Sequence, residues 1–195
     1  MTHVRKRIGI DFDDVVLNFS DGLREYHNTH YGMNITRDEH YTFLLEELWS
    51  CSIEEVVLRV QEFMRSPEYL LLQPVRGALT ALGVLKDRHD LEIVTARSHD
   101  VCDITLEWIH KHCRGVFAEV HFLGHYSQGV SNVRSKGDVC NERGIEIFID
   151  DAIHNAESVV AKGIPVLLFD APWNQGLLPS LVTRVFGWSE ILEHI

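Results

Sequence analysis

Three carboxylates, Asp11, Asp13 and Asp14, fall within four positions directly after the apolar stretch that starts at Ile8 (IGIDFDDVV). Acids this close repel one another, so the arrangement calls for a compensating charge. Hard oxygen ligands select a hard divalent cation, typically magnesium. The plainer alternative is a polar loop that follows a strand. Three further features carry residue types suited to the same centre: Thr95 at the end of LEIVT, Lys136 just after Ser135, and the pair Asp150-Asp151 after IEIFI. Each alone has an ordinary explanation. A threonine at a strand end reflects β propensity, a lysine at a helix start faces solvent, and an aspartate after a strand caps the next helix. Their common position is what makes them specific.

That common position follows from the elements the pattern predicts. Short apolar runs bounded by turn-prone residues read as strands at Ile8–Asp11, Leu91–Thr95, Glu119–Leu123, Ile145–Ile149 and Ile164–Phe169, the third with a loop running on to Val133. Helical spacing covers Asn18–Tyr31, a short helix and turn within Asp38–Trp49, and Pro74–Arg88. Ser52 and Glu55 form a capping box at the head of a helix that Ser66-Pro67 ends near Arg65. Further helices follow at Ser98–Cys113, Ser135–Arg143, from Asp151 to Lys162, and at Ser189–His194. Strands alternating with helices imply an α/β fold whose parallel sheet is covered on both faces. In such sheets chemistry gathers beyond the carboxyl ends of the strands, where Asp11, Asp13, Thr95, Asp150 and Asp151 all fall. Residues 18–73 hold no convincing strand and exceed what a crossover needs. They read as a helical cap inserted into a core made of residues 1–17 and 74–195.

The pattern DFDD-V, VT, K and IDD resembles the four signature motifs of the haloacid dehalogenase (HAD) superfamily of phosphohydrolases, from Ile8 to about Phe169. Within it the chain is most similar to the 5'(3')-deoxyribonucleotidases and the nucleotidases related to them. The residues that carry this narrower likeness are Asn18-Phe19, Leu72 to Gly77 (LQPVRG) and Lys162 to Pro172 (KGIPVLLFDAP). The resemblance implies a Rossmann-like core and a two-step hydrolysis of a phosphomonoester, with a nucleotide as the small phosphorylated substrate. Asp11 would attack phosphorus and carry the phosphoryl group. Asp13 would protonate the leaving oxygen and later take a proton from water. Mg2+ would bridge Asp11, the main-chain carbonyl of Asp13 and Asp151, with Asp150 behind Asp151. Thr95, Lys136 and the main-chain amides around Phe12 and Ala96 would hold the phosphoryl oxygens. Phe19 corresponds to an aromatic that packs on the base, or else belongs to the helix core. Two departures stand out. The deoxyribonucleotidases have Gly where this chain has Asp14, and Ser after the threonine where this chain has Ala96-Arg97. Arg97 therefore reads either as a phosphate or sugar contact or as the partner of a surface acid.

Composition narrows the remaining choices. At 195 residues with 45% apolar content the chain suits one main domain with an inserted subdomain. A formal charge of −11 argues against a nucleic-acid polymer as partner. The four cysteines include no C-x-x-C pair, and no apolar run reaches membrane-spanning length. These features point to free thiols, no membrane partner and a cytoplasmic setting. The scattered histidines lack zinc spacing. Two alternatives stay open: the same chemistry on another small ester such as a sugar phosphate, and a receiver-like signalling domain that keeps its phosphoryl group. The oligomeric state, a homodimer included, is also open. Trp173, Asn174 and Gln175 follow the last predicted strand at the same sheet edge, where they would line the cleft or pack the tail.

Overall fold

The computed structural model describes residues 4–124 and 134–195, so most of the loop expected to run on to Val133 lies outside the described residues. Strands β1 (Arg7–Ile10), β2 (Asp90–Thr95), β3 (Glu119–Phe122), β4 (Ile147–Asp150), β5 (Val166–Phe169) and β6 (Val182–Val185) form one sheet in the order β3-β2-β1-β4-β5-β6. Every pairing is parallel. The inner strands are buried almost throughout, as expected of near-continuous apolar runs covered on both faces. The expected tail lacked a strand, yet β6 lies there. Its Val-Thr-Arg-Val run is half exposed at the sheet edge, so no continuous apolar signal marks it.

Register fixes the chemistry-bearing edge. Ile10 pairs with Ile93 on one side and with Ile149 on the other. Asp11 therefore emerges level with Asp150, beside the end of the strand that finishes at Thr95. The strand order reverses between β1 and β4, the crevice where open α/β sheets take ligands.

Between β1 and β2 come α1 (Phe19–Tyr31), α2 (Leu45–Trp49), α3 (Ile53–Met64), α4 (Pro67–Leu70) and α5 (Ala78–Arg88). Ser66-Pro67 ends α3 and also starts α4. The serine hydroxyl accepts from the Tyr69 amide, and proline occupies the first turn, where its missing N–H is not needed. The chain leaves the sheet and returns to it at one place. Leu17 bridges Pro74 in antiparallel fashion, the Asn18 amide donates to the Gln73 carbonyl at 3.1 Å, and the Val75 amide to the Val16 carbonyl at 2.8 Å. Residues of α1, α3 and α4 nevertheless share one apolar cluster with the sheet, through Leu23, Phe63, Tyr69, Phe12 and Trp108.

The rest of the chain gives α6 (Cys102–His112), α7 (Lys136–Arg143), α8 (Ile153–Val160) and α9 (Trp188–His194). Cys102 opens α6 and Cys113 follows its end. All four cysteines are free. Among the described residues no helix is long and apolar enough to cross a membrane.

Candidate active site

Asp11 is held at the tip of β1 by its amide, which donates to the Ile149 carbonyl at 2.8 Å. Its carboxylate, that of Asp150 at the end of β4 and that of Asp151 just beyond it bring oxygens within 4.8 Å of one another, and all three residues are buried. Burial pushes the Asp11 carboxyl up to about 7. Lys136 pulls against that shift, while Asp150 and Asp13 add to it. Asp151 is likewise raised well above the ordinary carboxylate range, by burial first and then by Asp150, Asp14 and Asp11. Buried oxygens that cannot comfortably all be anionic are a donor set for a hard cation.

Lys136 offsets part of this charge. Its ammonium lies 2.7 Å from Asp11 Oδ1 and 2.7 Å from Asp150 Oδ2, and its side chain is wholly buried. Burial works to discharge it, but the two carboxylates outweigh burial and keep it a cation. The local sequence explains its place. Ser135 and Asp138 form a capping box at the head of α7, with the Ser135 hydroxyl accepting from the Asp138 amide and Asp138 Oδ2 accepting from the Ser135 amide. Gly137 then lets α7 press on α8, since a Cβ there would stand 2.0 Å from the Ser158 carbonyl oxygen. Asp150 is saturated. Oδ2 takes Lys136, and Oδ1 accepts from the Ala152 amide at 2.8 Å and Asn155 Nδ2 at 3.2 Å.

Buried Arg97 and half-buried Asp13 form a fork. Nε donates to Asp13 Oδ2 at 2.9 Å and Nη2 to Oδ1 at 2.6 Å, while Nη1 donates to the hydroxyls of Tyr69 at 2.6 Å and Thr105 at 2.7 Å. The guanidinium also sits 4.7 Å from the Phe12 ring centroid and 5.3 Å from that of Phe19. Arg97 thus pairs with an acid, as one of its two readings held, but the guanidinium is buried and its half-buried partner lies at the cleft and not on the outer surface. Thr95 is buried at the end of β2, its hydroxyl accepting from the Arg97 amide at 3.3 Å.

Asp14 occupies the left-handed region, with φ 57°. The glycine of the deoxyribonucleotidases suits that conformation, and aspartate is one of the few other residues that tolerates it. Its carboxylate accepts from the Ser20 amide at 2.8 Å and the Ser20 hydroxyl at 2.5 Å. It thereby caps α1, whose own N-cap residue Asn18 makes no side-chain capping bond.

A cavity of about 250 Å³ joins these parts: Asp11, Asp13, Thr95, Ala96, Arg97, Lys136 and Asp151 line its floor. Its other side is largely apolar, with Phe19 and Leu23 of α1 and Ile53, Val56, Val57, Val60 and Met64 of α3, and it also carries Ser20 and Gln61. Phe19 serves both of its readings, facing the cavity while packing edge-on against Phe63 with centroids 5.5 Å apart. Asp11, Asp13, Thr95, Ala96, Arg97, Lys136, Asp150 and Asp151 therefore meet at one edge, with Phe19 in the same cavity. Sequence reasoning missed Tyr69, Thr105 and Asn155, buried partners whose only signal is their position in the folded chain. It placed Trp173 at the correct edge, to line the cleft or pack the tail, but not its bond to Asp151.

This sheet has the haloacid dehalogenase-like α/β fold. The fold is similar to that of the haloacid dehalogenase-like hydrolase SP0104 of Streptococcus pneumoniae, with a TM-score of 0.72 over 100% of this chain and 99% of that one, at 16% identity. The sequence matches the family described as 5' nucleotidase, deoxy (pyrimidine), cytosolic type C protein over residues 5–195, and the chain belongs to that family. Two Bacillus subtilis proteins are similar over most of their length. The 5'(3')-deoxyribonucleotidase is 29% identical, covering 96% of this chain and 97% of its own. YqfW, provisionally named a nucleotidase, is 28% identical, covering 96% of this chain and 92% of its own. The chain is accordingly a phosphomonoesterase, and the receiver-like alternative is set aside.

Proposed function

We propose that this phosphomonoesterase is a magnesium-dependent nucleotidase that hydrolyses nucleoside monophosphates, of the 5'(3')-(deoxy)ribonucleotide kind, through a phosphoaspartate at Asp11. One observation carries the reading: the buried carboxylates of Asp11 and Asp151, with Asp150 clustered behind them, converge on a cavity whose other side is largely apolar. A charged phosphoryl group suits the floor, and a flat, weakly polar base suits the wall. This favours a nucleotide over a sugar phosphate, whose hydroxyls would meet mostly apolar side chains of α3, Gln61 being the polar one among them.

The donors we assign to the cation are Asp11, Asp151 and the main-chain carbonyl of Asp13. Asp150 stands behind them, because its oxygens are already committed to Lys136, Ala152 and Asn155. When bound, magnesium would supply neutralising charge for the phosphoryl oxygens. The protein's own groups do the rest. Asp11 forms its bond to phosphorus as the bond to the leaving oxygen breaks, and Asp13 delivers a proton to that oxygen. Asp13 then withdraws a proton from the water that cleaves the phosphoaspartate, which frees inorganic phosphate and restores Asp11. Arg97 aims Asp13 from below, so each proton transfer must loosen one arm of the fork. Lys136 opposes protonation of the nucleophile and, with Thr95 and the amides near Phe12 and Ala96, steadies the phosphoryl oxygens. Helices α1 to α4 act as the cap that meets the nucleoside, and Phe19 offers its ring to the base. The free cysteines fit a cytoplasmic enzyme.

The test is phosphate release from a panel of 5' and 3' deoxy- and ribonucleotides and sugar phosphates, with and without Mg2+. We expect magnesium-dependent turnover concentrated on nucleotides and abolished in Asp11→Asn. Equal, feeble turnover of the whole panel would overturn the substrate reading, and full activity of Asp11→Asn the mechanism.

A further inference from the structure

Trp173 lies in a short 3-10 turn (Pro172–Asn174) after β5, and its two ends touch different parts of the molecule. Its indole Nε1 donates to Asp151 Oδ2 at 2.8 Å. Its ring meets the segment between α1 and α2, with centroids 5.1 Å from His40 and 5.5 Å from Phe43. The turn itself is braced. Asn174 Nδ2 donates to the carbonyls of Asp151 at 2.7 Å and Phe169 at 2.6 Å, and Arg184 donates to both the side-chain and main-chain oxygens of Asn174. Trp173 is thus fixed from the sheet side and touches Asp151 from a set direction.

We propose that Trp173 is a positioning residue for the metal site and ties the loop around His40 and Phe43 to it. This rests on the assignment of Asp151 as a magnesium ligand. The chemistry suits the task. An indole N–H is a neutral donor with no acceptor capacity. It can fix one carboxylate oxygen, leave the other free for a cation, and bring no charge that competes with one. Groups of this kind that orient a ligand typically govern metal affinity by about 10- to 100-fold. Because the same ring carries Phe43, the influence runs both ways: whatever moves the loop alters Asp151, and a bound cation steadies the loop.

The experiment is calorimetric titration of magnesium chloride into the metal-free protein and its variants, beside turnover at saturating Mg2+. Trp173→Phe keeps a ring against His40 and Phe43 but removes the donor. We expect its Mg2+ affinity to fall by about tenfold or more, with kcat at saturating Mg2+ close to wild type. Phe43→Ala alters a half-exposed side chain, so its folding is not at risk, and it keeps the hydrogen bond. A smaller loss of affinity is expected there. Unchanged affinity in Trp173→Phe, while Asp151→Asn abolishes binding, overturns the inference and leaves the site assignment standing. Unchanged affinity in Asp151→Asn overturns the assignment itself. Unchanged affinity in Phe43→Ala overturns the tie to the loop.

Discussion

Replacing Lys136 by methionine keeps the length and bulk of the side chain and deletes its charge. In the native site the ammonium is 2.7 Å from one oxygen each of Asp11 and Asp150, with all three groups buried. At an effective dielectric near 20, each contact is worth roughly 6 kcal/mol of attraction before desolvation is subtracted. Removing one partner of a buried pair costs about 3–5 kcal/mol. One cation serving two acids should sit at the upper end, so we expect a loss of about 5 kcal/mol for metal-free Lys136→Met at pH 8. The pH dependence has a definite sign. Burial already lifts Asp11 to about 7 with the lysine present, and removing the lysine lifts it further. The variant therefore relieves its crowding by protonating Asp11 already above pH 7, and binds that proton throughout the fall to pH 6. The wild type takes it up only around pH 7 and then gives up part of its ion pair. The deficit should therefore shrink at pH 6. Urea unfolding of both proteins at the two pH values measures it. In phosphate-release assays with Mg2+, loss of a charged donor next to the reacting atoms should lower turnover by about a thousandfold. A variant within tenfold of wild-type turnover, or as stable as wild type at pH 8, would refute this account of the lysine.

Asp14→Ala and Asp14→Gly both lose the cap on Ser20, but only alanine keeps a Cβ at φ 57°. The alanine variant should be less stable by about 1 kcal/mol, a few degrees in thermal midpoint, and equal midpoints would contradict the backbone argument. Gly137→Ala drives a Cβ to 2.0 Å from the Ser158 carbonyl oxygen. It should force α7 off α8, costing about 3 kcal/mol or more and lowering activity with it through Lys136; scanning calorimetry and turnover read the two effects. His40 is buried, and burial, then the Arg24 charge, depresses its pKa from 6.5 to about 4. The unfolded chain takes the proton more readily, so the stability His40 supports is full above about pH 6.5 and is lost toward pH 4, by up to roughly 3 kcal/mol. His40→Gln should flatten the acid limb of a urea-midpoint profile, and superimposable profiles would exclude that contribution.

Much of the site was legible because chemistry and element boundaries coincide. Ile8 to Ile10 and Leu91 to Val94 are apolar enough to announce buried strands, and the polar residues that follow announce the sheet edge. Asp11, Thr95, Lys136 and Asp150 needed only that framework. The Arg97 fork was not legible, since its partner Asp13 is 84 residues away and nothing local selects it over other acids. Trp173 and Asp151, 22 residues apart, pose the same problem across helix α8 and strand β5. Strand β6 escaped for another reason. At an edge, the exposed Thr183 and the polar Arg184, which is turned onto Asp170 and Asn174, dilute the signal that Val182 and Val185 would give.

The closure of Leu17 on Pro74 has a consequence for how such enzymes diversify. Because outgoing and returning chain lie side by side, the sheet's connectivity is complete without reference to the segment strung between them. We expect that segment to be exchangeable as a cassette that re-tailors what approaches the phosphoryl group, provided the replacement supplies a partner for Arg97 in place of the Tyr69 hydroxyl. Such a graft must still bring its own cover for Phe12 and Trp108, which the present helices share with the sheet.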